Sequence, residues 1–487
     1  MLRIFVLLER CHNMSSNGYD VVFVSNYSSN LDYTLDQTRR NLPSHINSIV
    51  LTYKKSNIRN SFSYEEYLEN EFEKINSCDI VEFNNTFKDV NLNLSIVAER
   101  FLSDYYNLGA SFGYKKYSNS DIEFIIKSWV FFLDKYISDS KIIFSGYADN
   151  MVSTLAFMLA EFRGKRCISF SAIFVVSPRI FLVDNIYNQP CRDLKFTDTV
   201  KSIDSLNGYM ANFTAKSAMN EYRSNERFGS TPLFGFISAR VLKSSFWRYT
   251  FFGHSGANKK SKLYLELDRI SLVKKLIAYI VKSYNFLTTN LYLSIFSSKK
   301  TNTKKIVYFP LQVQPEASTA TTSPFFVNLV STIELISKSL PIGYMLIVKE
   351  HPVAPKGRRT LSTYRRINSF HNVSIVNSKV NGKDLIRNSE IVIGFGGTTL
   401  IESILLGSKI LIFEDAFYSD SILVRKVGDI RKLYKHIFDM LMYMPPDKEK
   451  TEDLHKMLNF FNQRGFELNK DFEKNIAVNL LSIIERS

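Results

Sequence analysis

The sequence predicts an α/β fold in which two Rossmann-like domains face a cleft, followed by a helical C-terminal tail. Its 487 residues are too many for one ordinary hydrophobic core and suit two domains. Short apolar runs typical of buried strands alternate with helical patterns in both halves of the chain. A basic polar stretch, Ser297–Lys305, separates the two alternating regions, and we interpret it as the linker between them.

The first domain is expected at residues 1–300, including a helical extension. Its predicted strands are Asp20–Val24, Ser48–Leu51, Ile80–Phe83, Lys141–Phe144 and Cys167–Phe170. Its predicted helices are Ile122–Tyr136, a helix that Asp149 opens and Gly164 ends, Asn207–Arg227 and Tyr264–Phe296. This alternation is typical of βαβ units and therefore of a parallel sheet.

The second domain is expected at residues 301–445. Its predicted strands are Ile306–Phe309, Met345–Val348, Ile391–Ile393 and Ile410–Phe413, and its predicted helices include Phe325–Ser339 and Thr399–Leu406. Residues 446–487 predict two further helices, Glu452–Arg464 and Phe472–Glu485. These helices are expected to pack back across the domains.

The composition is that of a folded globular protein, with 45% hydrophobic and 22% charged residues. The four cysteines show neither metal-ligand spacing nor a disulfide framework, so free thiols are expected. The N-terminal segment lacks a signal-peptide pattern, and no run approaches the ~20 apolar residues of a membrane span. We therefore expect a cytoplasmic protein.

The formal net charge of +15 is the one unusual feature of the composition. It indicates an acidic partner, such as an anionic membrane surface or a phosphorylated or carboxylated substrate, unless the lysines serve only solubility. No nucleic-acid-binding motif accompanies the charge, so nucleic acid is not expected as a partner.

A basic motif, Lys349-Glu350-His351-Pro352, follows the second strand of the second domain. Strand alternation places Lys349 and His351 on one face and Glu350 on the other. Two basic side chains at the carboxyl end of a parallel strand suit a phosphate ligand, and Pro352 ends the strand. The alternative is a histidine that only bonds the backbone at the strand end.

A glycine-rich motif opens the helix after the strand Ile391–Ile393. It comprises Gly394-Phe395-Gly396-Gly397-Thr398-Thr399 and continues to Glu402. Glycines let the backbone approach a ligand, and a helix N-terminus offers unpaired N–H groups and the positive end of a dipole. Alternatively, Thr399 and Glu402 form a capping box that only stabilises the helix end.

A polar segment, Phe309–Thr319, follows the first strand of the second domain. Gln312, Gln314 and Glu316 share parity, so an extended chain would direct them to one surface. We interpret the glutamines as candidate ligand contacts and Glu316 as a candidate catalytic carboxylate. The alternative is a polar loop whose hydroxyl groups cap the next helix.

The segment Ser145–Asn150 provides a corresponding strand end in the first domain. Asp149 lies within it and is the first domain's candidate for a catalytic carboxylate in the cleft. A helix N-cap is its simpler role.

These motifs, in this order, resemble the C-terminal halves of bacterial capsule and surface-polysaccharide glycosyltransferases of the GT-B fold. The resemblance covers Ile306–Phe413 and is carried by FPLQVQPEAST, VKEHP and GFGGTTLIESILLGSKILIF. The His-Pro motif followed by a helix start rich in hydroxyl groups looks like that of transferases using CMP-activated acidic sugars: Kdo, sialic acid and other nonulosonic acids. Teichoic-acid glycerophosphotransferases and nucleotide-sugar epimerases share a similar helix start.

The resemblance implies that His351, Thr398 and Thr399 hold the nucleotide phosphate. It also implies that Glu402 lies near the ribose or cytidine and that the acceptor binds the first domain. The predicted nucleotide site comprises Lys349, His351, Pro352, Gly396, Gly397, Thr398, Thr399, Glu402, Gln312 and Gln314.

The sequence therefore predicts a glycosyltransferase that moves an acidic sugar from a CMP-activated donor onto a capsule or lipopolysaccharide glycan, without a metal ion or cofactor. Asp149 or Glu316 is the expected catalytic carboxylate. One alternative is transfer from a UDP-sugar or CDP-glycerol donor. Another is a non-catalytic, membrane-associated factor of polysaccharide assembly or export, because the basic, aromatic-rich region Phe246–Lys305 could lie on an anionic membrane.

Overall fold

The computed structural model describes residues 18–26, 29–99, 117–173, 179–187, 189–191, 272–297, 305–314, 317–351, 359–376, 378, 380–467 and 471–486. Within these ranges the chain forms two α/β domains on largely parallel sheets, with helices towards the C-terminal end. The predicted fold class is thereby confirmed. The helix predicted at Asn207–Arg227 and most of the region Phe246–Lys305 lie outside the described residues.

The described residues contain thirteen strands: β1 (Tyr19–Val24), β2 (Ser48–Thr52), β3 (Ser61–Ser63), β4 (Ser140–Ser145), β5 (Arg166–Ile173), β6 (Arg179–Val183), β7 (Ile306–Pro310), β8 (Met345–Lys349), β9 (Val373–Val376), β10 (Ile391–Gly394), β11 (Ile410–Ile412), β12 (Val424–Lys426) and β13 (Gly465–Glu467). The α-helices are α1 (Ser29–Arg40), α2 (Tyr64–Asn76), α3 (Ile80–Thr86), α4 (Asn93–Ala98), α5 (Asn119–Ile137), α6 (Met151–Phe162), α7 (Leu272–Phe296), α8 (Ala317–Ala320), α9 (Leu329–Ser339), α10 (Leu361–Asn368), α11 (Gly382–Asn388), α12 (Thr398–Leu405), α13 (Leu433–Met442), α14 (Asp447–Arg464) and α15 (Phe472–Ile484). Two short 3₁₀ helices are Pro324–Phe326 and Ile430–Lys432.

The two sheets share one strand order, apart from the additional edge strand β13 of the first sheet. It runs β13-β6-β5-β4-β1-β2-β3 in the first sheet and β12-β11-β10-β7-β8-β9 in the second. Strands β1 to β5 pair in parallel, and β6 and β13 join the edge antiparallel. The second sheet is parallel throughout. Each sheet reverses its order beside its first strand, where doubly wound sheets bind ligands.

The central strands are buried on both faces, which explains their continuous apolar sequences. In β7, every residue is buried. Val307 and Phe309 pack in one apolar cluster with residues of α9 and α13, whereas Ile306 and Tyr308 pack in another with residues of α11 and α12. The sheet therefore has a helical layer on each side, and its ligand-binding edge is left to the loops.

The C-terminal segment connects the two domains a second time. Met457 and Leu458 of α14 pack in a core cluster of the second domain. Strand β13 then pairs with β6 of the first sheet. Helix α15 places Ile476 and Leu480 in the core cluster that contains Val21 of β1.

The strand predicted at Ile80–Phe83 is wrong, because this segment begins helix α3. The Asp79 carboxylate accepts hydrogen bonds from the backbone N–H groups of Val81 and Glu82. This N-cap satisfies two donors that would otherwise be unpaired, and it outweighs the strand preference of an Ile-Val pair.

The structure bears on the expectations about the cysteines and about membrane-spanning helices. Cys78, Cys167 and Cys191 are free thiols, and the last two are buried, whereas Cys11 lies outside the described residues. Among the helices within the described ranges, none combines the length and apolarity that a bilayer crossing demands.

Candidate functional site

Two of the predicted motifs meet where the second sheet reverses its strand order, between β7 and β10. Gln312 follows β7, and Gly397 follows β10. A Cβ built on Gly397 would lie 3.7 Å from Oε1 and 3.9 Å from Nε2 of Gln312. The Gln312 amide therefore lies against the glycine loop, at the crevice where doubly wound sheets hold their ligands.

The aromatic residue inside the glycine loop anchors it to the core. Phe395 is fully buried, and its ring centroid lies 5.4–5.9 Å from those of Phe309, Phe326 and Phe413. Gly397 is exposed and has φ +127° and ψ 172°, a conformation that essentially only glycine adopts. The loop is thus held to the core by Phe395, whereas its backbone at Gly397 is exposed.

Helix α12 begins at Thr398, with Gly397 as its N-cap. The capping box considered for Thr399 and Glu402 is not formed, because Thr399 is the second residue of the helix rather than its cap. Gly397 has no side chain that could cap the first N–H groups of the helix. These N–H groups and the positive end of the helix dipole are the features of a helix start that favour an anionic ligand. Thr398 is exposed, and Thr399 and Gly396 are half-buried.

Strand β8 brings the basic motif to the same edge, because it pairs with β7 on the side away from β10. Lys349 is its last residue and is buried, and its Nζ donates to the Glu350 carbonyl at 3.3 Å. The half-buried His351 follows the strand, and its backbone N–H donates to Glu350 Oε1 at 2.7 Å. Since the strand ends at Lys349, strand alternation does not fix the direction of the His351 side chain.

Glu350, to which the sequence analysis gave no role, is the centre of a buried cluster. Its side chain is 0% exposed, and its carboxylate accepts hydrogen bonds from Arg359 Nη1 and the Tyr364 hydroxyl. Arg359 Nη2 donates to the carbonyl of Gln312. Burial lowers the pKa of Arg359, but Glu350 and Tyr364 together outweigh this effect, so the Arg359 pKa is raised overall. Burial, and then the Glu350 charge, raise the pKa of Tyr364.

Glu402 is half-buried beside two lysines. Burial raises the pKa of its carboxyl, and the charges of Lys383 and Lys349 oppose that shift. Lys383 is 5% exposed, and burial lowers its pKa while Glu402 acts in the opposite sense. The Tyr308 pKa is raised by burial and, to a smaller extent, by the Glu402 charge. Lys383 belongs to none of the sequence motifs, and its signal in the sequence is its place in the first turn of the helix after β9.

Gln314 makes a contact within the protein. Its Nε2 donates to the carbonyl of Val327 at 2.6 Å, and its side chain is 8% exposed. This bond fixes the segment after β7 against the end of the 3₁₀ helix Pro324–Phe326. Glu316 and Pro352 lie outside the described residues, and their predicted roles stay predictions.

The first sheet has a corresponding crevice between β1 and β4. Asp149 lies there, but it does not cap helix α6 as predicted. Asn150 is the cap, because its side-chain oxygen accepts from the Ser153 N–H at 3.1 Å. Asn150 Nδ2 also donates to Asp149 Oδ1 at 2.8 Å, which holds the carboxylate at the strand end.

A second carboxyl at this crevice, Asp32, was not identified in the sequence. It lies in the first turn of α1, near Ser25, and the side chain of Leu31 packs so closely on Gly146 that a Cβ there would collide with it. Burial raises the pKa of Asp32, and the Ser25 hydroxyl opposes the shift. The Ser25 hydroxyl lies close enough to act on the Asp32 carboxyl, but Asp32 Oδ1 and Ser25 Oγ are buried without a hydrogen bond of regular geometry in the described part of the chain. Because buried polar atoms are usually paired, these two mark a candidate ligand contact.

The two domains meet beside Asp149. Thr321 Oγ1 donates to the Ala148 carbonyl at 2.8 Å. A small apolar cluster crosses the same boundary and consists of Val97, Ala98, Ala320 and Val327. The segments that follow β4 and β7 are therefore in contact, so the carboxyl edges of the two sheets adjoin.

No protein-family model matches the sequence, and no curated protein matches it significantly. Solved structures with a similar fold include KpsC, beta Kdo 2,4 transferase, from Thermosulfurimonas dismutans, with 10% identity over 65% of this chain and 79% of that chain and a TM-score of 0.29. The beta Kdo 2,7 transferase of the same organism's KpsC is 17% identical over 37% of this chain and 62% of that one, with a TM-score of 0.22. UDP-GlcNAc 2-epimerase from Neisseria meningitidis, bound to UDP-GlcNAc, is 12% identical over 96% and 99%, with a TM-score of 0.26. These likenesses are too distant to bear on the chemistry of the site.

Proposed function

We propose that this protein is a glycosyltransferase that moves an acidic sugar from a CMP-activated donor onto a surface glycan. The observation that carries the proposal is the meeting of Gln312 with Gly397 at the strand-order reversal of the second sheet. It joins in one crevice the polar segment and the glycine loop that resemble those of CMP-sugar glycosyltransferases. The choice of donor class rests on that resemblance.

The donor phosphate binds at the start of α12. The uncapped N–H groups there, with the hydroxyls of Thr398 and Thr399, donate hydrogen bonds to its oxygens. Lys349 adds positive charge and His351 a further hydrogen-bonding group from the neighbouring strand end. These groups bind the leaving CMP more strongly as negative charge develops on its phosphate, so they accelerate the chemical step.

The nucleoside binds beside Glu402. Its carboxylate accepts hydrogen bonds from the ribose hydroxyls, and Lys383 and Lys349 favour its ionised form against the effect of burial. The Gln312 amide can both donate and accept, which suits a polar edge of the donor.

The acceptor hydroxyl binds at the crevice of the first domain, whose loop after β4 contacts the second domain. A carboxylate there takes the hydroxyl proton while the oxygen attacks the anomeric carbon, and the bond from that carbon to the phosphate oxygen breaks with its electron pair leaving on CMP. Asp149 and Glu316 are the candidates from sequence. Asp32 is a further candidate, because burial raises its pKa, which makes it a better proton acceptor.

Calorimetric titration with CMP, UDP and CDP tests the donor site. We expect CMP to bind most tightly and His351→Ala to weaken its binding by about tenfold or more, as expected for one lost charge-assisted hydrogen bond. His371→Ala is the matched control, because His371 is an exposed histidine of the same domain. Absence of binding by all three nucleotides would refute the proposal.

Transfer assays with CMP-, UDP- and CDP-linked donors then test the reaction. Release of CMP that depends on a glycan acceptor supports the proposal. A preference for UDP- or CDP-linked donors would instead show that the site binds the alternative class of donor. We expect transfer to continue in EDTA.

A further inference from the structure

A polar crevice lies between helices α11 and α12, over strand β7. Leu385 of α11, Leu400 of α12 and Tyr308 of β7 pack in one apolar cluster, so both helices cover the same face of the second sheet. A Cβ built on Gly382, the first residue of α11, would be 3.9 Å from the Tyr308 hydroxyl oxygen. Helix α11 follows the carboxyl end of β9, so its start adjoins the edge of the sheet that carries the glycine loop.

Charged side chains from three elements meet in this crevice. Glu402 of α12 is half-buried, and its charge interacts with those of Lys383 in α11 and Lys349 in β8. Lys383 is 5% exposed and Lys349 is 7% exposed. Lysine side chains are almost never buried to this extent unless they bind another group. The cluster therefore differs from a surface ion pair, and its half-buried carboxylate gives a ligand access to it.

The hydrogen-bonding chemistry of Glu402 and Lys383 specifies the group that fits beside both of them. An ionised carboxylate only accepts hydrogen bonds, whereas an ammonium group only donates them and has three N–H groups to do so. A hydroxyl group does both, so it can donate to Glu402 and accept from Lys383 at the same time. An anion would face the Glu402 carboxylate, and a carbonyl group would offer that carboxylate no donor. Hydroxyl groups on neighbouring carbon atoms, as in ribose, therefore suit the cluster best.

We propose that Lys383 is a specificity-determining residue, which donates a hydrogen bond to the ribose hydroxyls of the nucleotide while Glu402 accepts from them. This inference rests on the proposed function, in which the nucleoside binds beside Glu402, and it adds a second protein contact to the ribose. A nucleotide that lacks these hydroxyls loses both bonds and still excludes water from the two charged groups, so it should bind weakly. The site therefore selects its ligand by the sugar of the nucleotide.

Calorimetric titration with CMP and with 2′,3′-dideoxy-CMP tests the proposal. We expect wild type to bind CMP at least about 100-fold more tightly, as expected for two lost hydrogen bonds to charged groups. Lys383→Met should lower this preference for CMP by about tenfold, because methionine fills much of the same space and cannot donate.

Lys409→Met is the matched control. Lys409 is also a partly buried lysine of the second domain, but it directly precedes β11, at the opposite edge of the sheet. Its Nζ donates to the carbonyls of Leu441 and Tyr443. Its replacement should therefore leave the preference for CMP over the dideoxy nucleotide unchanged.

The same titrations in a Glu402→Gln background distinguish a direct contact of Lys383 from an indirect effect. If Lys383 acted only by keeping Glu402 ionised, its replacement would have no effect there, because glutamine carries no charge. We expect Lys383→Met to lower the preference for CMP in this background as well. An unchanged preference would overturn the proposal, and so would a wild type that binds both nucleotides equally. The proposed function would survive either result, whereas absence of binding by CMP, UDP and CDP would overturn both.

Discussion

The guanidinium of Arg359 forms a buried ion pair with the carboxylate of Glu350, and through its other terminal nitrogen it bonds the carbonyl of Gln312. One side chain therefore connects the end of β8 to the end of β7. His351 and Gln312, which come from these two strand ends, owe their relative position partly to this contact.

Replacing Arg359 by methionine should destabilise the protein. The Glu350 carboxylate would remain buried without its charge partner, and breaking a buried pair in this way costs about 3–5 kcal/mol of unfolding free energy. CMP affinity should fall as well, because the Gln312 backbone loses its donor. Urea denaturation and calorimetry measure the two effects. Arg366→Met is the control, because Arg366 pairs with Glu334 at the surface and its loss should change little.

Gly397 and Gly407 lie at the two ends of α12, and both have a positive φ. Comparing alanine variants of the two distinguishes the effect of backbone strain on stability from the effect of the glycine loop on nucleotide binding. Gly397→Ala forces φ +127° on a residue with a Cβ, which costs about 1–3 kcal/mol, and it should also weaken nucleotide binding because the altered loop lies at the crevice. Gly407→Ala imposes strain at φ +74° with nothing nearby, so it should lower stability and leave affinity unchanged. Equal affinities for the two variants would exclude the loop from the donor site.

Glu402 should make nucleotide binding dependent on pH. Burial raises its pKa, so the protonated form persists to higher pH than for an ordinary glutamate, and only the carboxylate is purely an acceptor for ribose hydroxyls. Affinity should therefore decline as the pH falls through this raised pKa. Glu402→Gln should bind about tenfold more weakly at neutral pH and lose this dependence.

The nucleotide phosphate also titrates, with a pKa of about 6, so the informative quantity is the difference in affinity between wild type and Glu402→Gln at each pH. Glu390→Gln is the control, because Glu390 bonds the Tyr344 hydroxyl at the opposite edge of the sheet. Parallel pH profiles for wild type and Glu402→Gln would remove Glu402 from the site.

The Asp32 carboxylate should lower the stability of the folded protein at neutral pH and support the transfer reaction. Because its pKa is raised on folding, the folded state resists its ionisation, and the stability present at acid pH is lost as the pH rises through that pKa. Asp32→Asn cannot ionise, so it should melt at a higher temperature than wild type at pH 7, with the difference vanishing at low pH. Its transfer rate should fall by about 100-fold if Asp32 is the base.

Asp36→Asn is the control on the same helix. Asp36 is buried and paired with Arg39 and Arg40, so its replacement should lower the melting temperature and spare the transfer rate. A wild-type transfer rate in Asp32→Asn would leave Asp149 and Glu316 as the candidates.

The central strands could be predicted from sequence for a physical reason. Strands such as Ile391–Gly394 and Ile410–Ile412 are buried on both faces, so their residues must be apolar without interruption. The positions of the polar motifs at the strand ends could be predicted as well, because each motif comes directly after such an apolar run. Where a segment carries signals for both a strand and a helix, the sequence did not decide between them. Ile80–Phe83 has the residues of a strand, but the Asp79 cap makes it a helix.

Contacts between distant segments could not be predicted. Neither a spacing nor a period relates Glu350 to Arg359 and Tyr364, and the proximity of Asp32 to Ser25 depends on how the start of α1 packs against Gly146. The capping box at Thr399 matched a sequence pattern, yet the N-cap of the helix is Gly397, two residues earlier. Each of these arrangements depends on tertiary packing, which short patterns do not contain.

Strand β13 and helix α15 complete the first domain, yet they follow the whole second domain in the chain. On the ribosome, β6 therefore leaves the exit tunnel long before its outer neighbour β13 is made, and the unpaired edge of β6 invites wrong pairing in the meantime. The second domain can finish folding while the first still waits for its edge strand. The domain that is begun first is completed last.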